Sequence, residues 1–191
     1  MAPRKKEDFS EMADASREKI LKSAFELFAN HGYSRTSVDM IAQKARISKG
    51  LIYHYFKSKE EILRGLFIQF VEETNEQILW NESQSPQAAL QQLIDFSVHF
   101  ITGEVKLNRL MISLVLQPDV IKGIKKDMER LREGWWGRLT ALLKELGYKD
   151  PEAEGYLLGA ILDGFGLGYI AMGKEYPVEK VKKLIEKKYG L

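Results

Sequence analysis

The chain has 191 residues, 45% of them apolar and 29% charged, with a formal net charge of +2 and no cysteine. That supplies apolar surface for a core in one or two domains, and the lack of cysteine excludes a disulfide framework, thiolate catalysis and thiolate metal sites. No apolar run reaches the roughly 20 residues of a membrane span, and the charged start MAPRKKEDFSEMADAS has no apolar heart for a secretory signal, so the expected setting is cytoplasmic with no membrane partner.

Residues 1–15 read as a flexible basic arm. Its Arg4, Lys5 and Lys6 either reach phosphate or are simply solvated. A first helix is expected from near Ser16, where Ile20, Leu21, Ala24, Phe25, Leu27 and Phe28 form a broad apolar stripe. It ends at Asn30-His31-Gly32, with Gly32 suited to a left-handed turn after the helix and His31 favourable to the helix dipole.

Thr36 to Phe56, TSVDMIAQKARISKGLIYHYF, predicts a helix, a tight turn and a second short helix. Thr36 or Ser37 can cap the first of these, and Val38, Ile41, Ala42 and Ala45 recur at helical spacing. Ala45, Arg46 and Ile47 make the turn. Ser48 caps the second helix, and Ile47 can staple onto Ile52. At about 100° per residue, Leu51, Ile52, Tyr55 and Phe56 share one side, and Lys49, Gly50, Tyr53 and His54 share the other. A buried back and a donor-rich front suit a helix entering a DNA major groove. An ordinary amphipathic helix with a solvated face has a similar outline.

Charge follows the same division. Residues 1–57 carry 11 Lys/Arg against 7 Asp/Glu, and residues 58–191 carry 18 against 20. The modest basic excess therefore lies with the helix-turn-helix, as phosphate contact would require. Ser58 with Glu61 forms a capping box and opens a long helix from Lys59 to about Trp80, with Ile62, Leu63, Leu66, Phe67, Phe70 and Val71 inward. Lys59 either joins the free amides of that first turn in holding a phosphate or is solvated.

Residues 17–66 resemble the DNA-binding domain of the TetR family of one-component transcriptional repressors. The matching features are Phe28-x-x-x-Gly32-Tyr33, Thr36-Ser37-Val38-x-x-Ile41-Ala42, Ser48-Lys49-Gly50-x-Ile52-Tyr53-His54-Tyr55-Phe56 and Ser58-Lys59-Glu60-Glu61. The resemblance implies a three-helix head at residues 16–58 and an effector-binding, dimerising helical body at 59–191. It also implies a homodimer on a palindromic operator in double-stranded DNA, held through the last two long helices. Thr36, Ser48, Tyr53, His54 and Lys59 map onto positions that hold phosphates, and Lys49, Gly50 and Tyr53 onto positions that approach base edges. Ser37 and Arg46 complete the expected DNA-binding set. Arg46 departs from the pattern, because glycine is common there. A left-handed residue at this point costs a non-glycine roughly 1 kcal/mol; either the turn differs or Arg46 contributes a phosphate contact.

Beyond Trp80, the linker 81–86 leads to a helix starting at Ser85-Pro86, with Leu90, Leu93, Ile94, Val98 and Ile101 inward. Further helices are expected over 104–116, from Pro118 to Leu146, from Pro151 to Met172 and from Val178 to Tyr189. No strand signal or repeat occurs, so the fold is all-α, with about nine helices in a TetR-like arrangement. Phe67, Phe96, His99, Phe100, Asn108, Met111, Trp135 and Tyr169 are candidate lining for a small-molecule effector pocket, although aromatic and methionine residues at helical spacing also fit plain core.

The glycines from Gly159 to Gly168 cost roughly 1 kcal/mol each in a helix interior. Close helix packing, inside the chain or across a dimer, would offset that. Gly159, Gly164, Phe165, Gly168, Val181 and Leu184 are the candidate dimer residues, and Asp163 among them can anchor a ligand or a neighbouring donor. Only His31, His54 and His99 are available for histidine chemistry. No metal motif, nucleophile elbow or phosphate loop occurs, so neither an enzyme nor a cofactor is expected.

Overall fold

The computed structural model describes residues 6–77 and 84–191, and every regular element among them is helical. In chain order these are α1 Lys6–His31, α2 Val38–Ala45, α3 Lys49–Tyr55, α4 Lys59–Gln77, α5 Pro86–Gly103, α6 Val105–Val115, α7 Pro118–Glu145, α8 Pro151–Met172, a short 3-10 turn Gly173–Glu175, and α9 Val178–Lys188.

Most boundaries fall where the caps place them. Ser37 accepts from the Met40 amide at 3.2 Å, Ser48 from Leu51 at 3.1 Å, Ser85 from Ala88 at 3.2 Å and Asp150 from Ala153 at 3.0 Å. Each satisfies one amide that the helix itself leaves without a partner. Gly32 (φ 83°) and Gly147 (φ 86°) end α1 and α7 in the left-handed conformation. The expected capping box forms in part: the Glu61 amide donates to Ser58 at 3.2 Å, while the Glu61 carboxylate accepts from the Lys57 amide rather than from Ser58.

One boundary is corrected. Residues 6–15, expected as part of a flexible arm, are the first turns of α1. Their sequence has no apolar stripe, but Lys, Glu, Met and Ala all favour helix, and a helix established further along extends backwards at little cost. Arg4 and Lys5 of the expected arm, and the expected end of α4 at Trp80, lie outside the described residues.

The chain packs as two compact units, residues 1–71 with 110–125, and residues 72–109 with 126–191. The division thus falls inside α4, α6 and α7 instead of at residue 58. In the first unit, α1 packs on α2 and α2 on α3. Ile20, Leu21, Ala24, Phe28, Ile41, Ala45, Ile52, Phe56, Ile62 and Leu63 are buried. Gly65 lets α4 approach closely: a Cβ there would lie 3.1 Å from the Phe56 ring and 3.2 Å from Leu21. The same unit includes the α6–α7 connection, where Ser34 Oγ donates to Gln117 Oε1 at 2.8 Å.

In the second unit, α8 packs against both α5 and α9, and α5 against α9. Leu90, Leu93, Ile94, Val98, Leu139, Leu143, Leu158, Phe165, Ile185 and Tyr189 form its core. Lys182 ties α9 to Asp95 of α5 at 2.5 Å, and that contact raises the ammonium's affinity for its proton. Lys188 ties α9 to Glu154 of α8 at 2.9 Å.

Pro151–Glu175 corrects a second expectation, since by length and composition it is apolar enough to cross a membrane. Its hydropathy comes from leucine, isoleucine, alanine and phenylalanine, interrupted by glycines and Asp163, and so escapes a search for one continuous apolar run. Leu158 and Phe165 of this helix lie in the core of the second unit.

Candidate nucleic-acid interface

The α2–turn–α3 unit is built on a left-handed residue. Arg46 has φ 55° and ψ 46°, and it alone among the described non-glycine residues has positive φ. Its amide donates to Gln43 O at 3.1 Å, and the Ile47 amide to Ala42 O at 3.1 Å. This is the paired hydrogen-bond pattern that closes a helix with one left-handed residue. The turn is therefore the one glycine would make, with arginine in glycine's place. The Arg46 side chain is exposed.

From that turn α3 emerges with Ile52 fully buried and Phe56 buried just beyond its end. Ser48, Lys49, Gly50, Tyr53 and His54 are all exposed. Tyr53 is 47% accessible, unusual for a large ring on a short helix. The His54 ring packs edge-on against Tyr55, with centroids 5.2 Å apart. The hydroxyls of Ser37 and Ser48 accept from their helices, which leaves each O–H free to donate outward.

Lys49 is held before any nucleic acid arrives. Its Nζ lies 2.8 Å from Asp39 Oδ1 and 2.9 Å from Oδ2, and the hydrogen bond to Asp39 raises its pKa. Both side chains are exposed, so solvent screens the pair. Asp39 had no place in the expected site; it sits on α2, ten residues from its partner.

Two expected phosphate ligands are engaged within the protein. Thr36 is 2% exposed and its hydroxyl donates to Gly32 O at 2.9 Å, so it ties the α1–α2 loop to the end of α1. Ser37 is the cap, and Thr36 is internal. Lys59 is half-buried; its Nζ donates to Tyr33 O at 3.0 Å and Thr36 O at 2.9 Å and sits 4.3 Å from the Tyr33 ring centroid. Two of its three N–H groups are committed, so Lys59 clamps the loop to the start of α4.

Tyr33 belongs to the same assembly. Its hydroxyl donates to Glu60 Oε1 at 3.0 Å. Burial, then Glu60, pushes the phenol's pKa up. The amide of Glu60 and the Ser58 hydroxyl hold the Glu60 carboxyl below its ordinary value.

The candidate effector residues divide between the two units. Phe67 and Met111 fall in the first, and Phe96, His99, Phe100, Asn108, Trp135 and Tyr169 in the second. Phe96, Phe100, Trp135 and Tyr169 are partly buried against the second unit's core. His99 is exposed; the buried stripe of α5 runs through Leu90, Leu93, Ile94, Val98 and Ile101 and passes it by. Asn108 is buried at 9% exposure.

Among the candidate dimer residues, Leu184 is 60% exposed and Val181 packs in part on the core. A Cβ on Gly159 or Gly164 would meet nothing within 4 Å. Phe165 is 2% exposed, edge-on to Tyr176, and Tyr176 also covers Gly168. Both are used inside the protomer.

Residues 20–66 match the family model described as bacterial regulatory proteins, tetR family. The chain is 29% identical over 130 residues to the fatty acid metabolism regulator protein of Bacillus subtilis, an alignment that takes in 66% of this chain and 65% of that one. The chain thus spans slightly less than two thirds of that relative's length. Among solved structures, a regulator from Saccharomonospora viridis in complex with choline matches with a TM-score of 0.77 at 16% identity, covering 91% of this chain and 95% of that one. The transcriptional regulator FadR from Bacillus subtilis in complex with stearoyl-CoA matches with a TM-score of 0.73 at 22% identity, covering 90% and 96%.

Proposed function

We propose that the chain belongs to the tetR family of bacterial regulatory proteins, whose model matches residues 20–66, and that it is a DNA-binding repressor whose homodimer binds a palindromic operator and leaves it when a small, largely apolar effector binds the helical body. The observation that carries the DNA-binding part is the α3 surface: Ile52 is buried behind it, and Ser48, Lys49, Gly50, Tyr53 and His54 are exposed in front.

On this reading Lys49 and Tyr53 reach base edges, with Gly50 allowing close backbone approach. Ser37, Ser48 and His54 hold phosphates, and Arg46 adds a cation beside the turn. Two copies of α3 would enter successive major grooves about one helical turn apart, ~34 Å, which requires a twofold dimer. The last two long helices are the proposed contact, and the cytoplasm is the proposed location.

Release requires the effector to prefer the state of the dimer that binds DNA poorly; equal affinity for both states would shift nothing. The two liganded fold neighbours hold chemically unlike molecules, choline and stearoyl-CoA. An acyl ligand is favoured for this chain by its similarity to a fatty acid metabolism regulator.

Fluorescence anisotropy on DNA from upstream of its own gene tests the proposal. Binding should weaken steeply with salt, as counterion release requires. Lys49→Ala and Tyr53→Ala should abolish sequence preference with helicity and dimer mass intact. Binding indifferent to salt and sequence, or a chain that stays monomeric on its operator, would refute it.

A further inference from the structure

Asn108 is the buried polar group that neither the core nor the DNA face uses. It lies in the first turns of α6, 9% exposed, and its Nδ2 has no hydrogen-bond partner among the described residues. Opposite stands Gly166 of α8, itself buried. A Cβ on Gly166 would lie 2.9 Å from Nδ2 and 3.5 Å from Oδ1. The amide is therefore lodged against the α8 backbone where no side chain intervenes.

A buried donor left unbonded destabilises a fold, and nearly all such groups find an acceptor. A leucine at the same position would fill similar space without that cost. The neighbouring helices supply partly buried apolar side chains, among them Phe96, Trp135, Ile161 and Tyr169. One stranded donor among apolar groups suits a ligand that carries an oxygen acceptor on a long apolar body. A quaternary ammonium's charge opposes an N–H donor, and choline's one hydroxyl is not carried on a long apolar body.

We propose that Asn108 is the polar anchor of the effector site, donating from Nδ2 to the acyl oxygen of a long-chain ligand, as thioester or free acid. Gly166 is the residue that leaves room for the amide. This rests on the effector-binding reading above and names the ligand class for it. Because the donor is unsatisfied without ligand, binding recovers a hydrogen bond that the empty protein lacks. A site built to donate also discriminates strongly against analogues that lack the acceptor.

Isothermal titration of the full-length chain with palmitoyl-CoA, palmitic acid and choline tests the proposal, alongside Asn108→Leu and Gly166→Ala. The wild type should bind an acyl probe and not choline. A preference for palmitoyl-CoA identifies the thioester as the source of the acyl oxygen, and equal or tighter binding of palmitic acid identifies the carboxyl. Asn108→Leu should bind about ten-fold more weakly or worse, the loss expected for one buried hydrogen bond, while its ligand-free melting temperature holds or rises. Opposite signs for affinity and stability separate an anchor from a residue needed only for packing. Gly166→Ala should weaken acyl binding too, because its methyl displaces the amide, and it decides the question if Asn108→Leu fails to fold. Undiminished acyl binding by the variants would overturn the anchor and leave the effector reading standing. A wild type that binds its operator but none of the three probes would overturn both.

Discussion

Arg46→Gly tests how the recognition helix is set. Arg46 occupies the left-handed region at φ 55°, which costs an L-residue about 1–2 kcal/mol. Glycine removes that strain but gives the unfolded chain more freedom, a loss of about 0.5–1 kcal/mol. Both hydrogen bonds that close the turn come from backbone amides, so glycine keeps them, and the exposed side chain leaves no cavity. The net expectation is a gain of about 0.5–1 kcal/mol, visible in urea as a higher midpoint with an unchanged slope, or as about 2 °C in melting temperature for a chain of this size. If Arg46 also holds a phosphate, the log–log salt slope of operator binding should fall by about 0.9, whereas Arg46→Lys should keep the slope and gain no stability. A destabilised Arg46→Gly would refute the strain argument, and an unchanged salt slope would remove the phosphate contact.

Lys59→Met should cost about 2 kcal/mol, from two hydrogen bonds to backbone carbonyls and the contact with the Tyr33 ring. If Lys59 is a clamp, the salt slope of operator binding should stay nearly constant in denaturant-free buffer; a drop near 0.9 would make it a phosphate ligand after all. Asp39→Asn should leave the melting temperature almost unmoved, since the Lys49 pair is exposed, and should tighten non-specific DNA binding by removing a negative charge from the DNA face. Weaker operator binding in that variant would instead show Asp39 holding Lys49 in its reading position. Asp163 is exposed, yet desolvation by the surrounding apolar side chains raises its carboxyl pKa, so the folded chain binds the proton more tightly than the unfolded chain. Stability should therefore fall as pH rises through the window between the ordinary carboxylate value and the raised one. Asp163→Asn should melt higher than wild type at neutral pH, and the difference should shrink in acid; a variant equally stable at both pH values would contradict this.

What could be read in advance was local. Ser48, Ile52, Phe56 and the Lys49–His54 face follow from helical spacing and one cap, so α3 was legible from twenty residues. The oddity of Arg46 was legible too, because the need for a left-handed residue is a property of the turn itself. The Lys59 clamp was not, since its acceptors lie 23 and 26 residues away and only packing brings them within reach. Thr36 and Ser37 show the same limit at shorter range. Either hydroxyl can cap α2 by type and position, and the choice depends on which one the turn after α1 buries. Asp39 carried no signal, because an acidic residue in the first turn of a helix is explained by the helix dipole alone.

The glycines of α8 show why the dimer surface was the least legible part. In sequence they form one cluster, and at 100° per residue they fall on different sides. Gly155 meets Trp136, Gly166 meets Asn108 and Gly168 meets Tyr176, so these three admit bulky side chains of the same chain. Gly164 meets nothing within 4 Å and lies among Tyr156, Leu157 and Leu167, all exposed. Met172 near the end of α8 and Leu184 of α9 are exposed as well. An apolar stripe on the last two long helices suits a contact in which each copy presents the same face. On that stripe only Gly164 lets a second backbone come close, so the tightest approach of a twofold mate should fall at this turn of α8. Asp163 is its immediate neighbour, and pairing there would withdraw water from a carboxyl that desolvation already disfavours as an anion. Self-association through this face should therefore strengthen as that carboxyl takes up its proton.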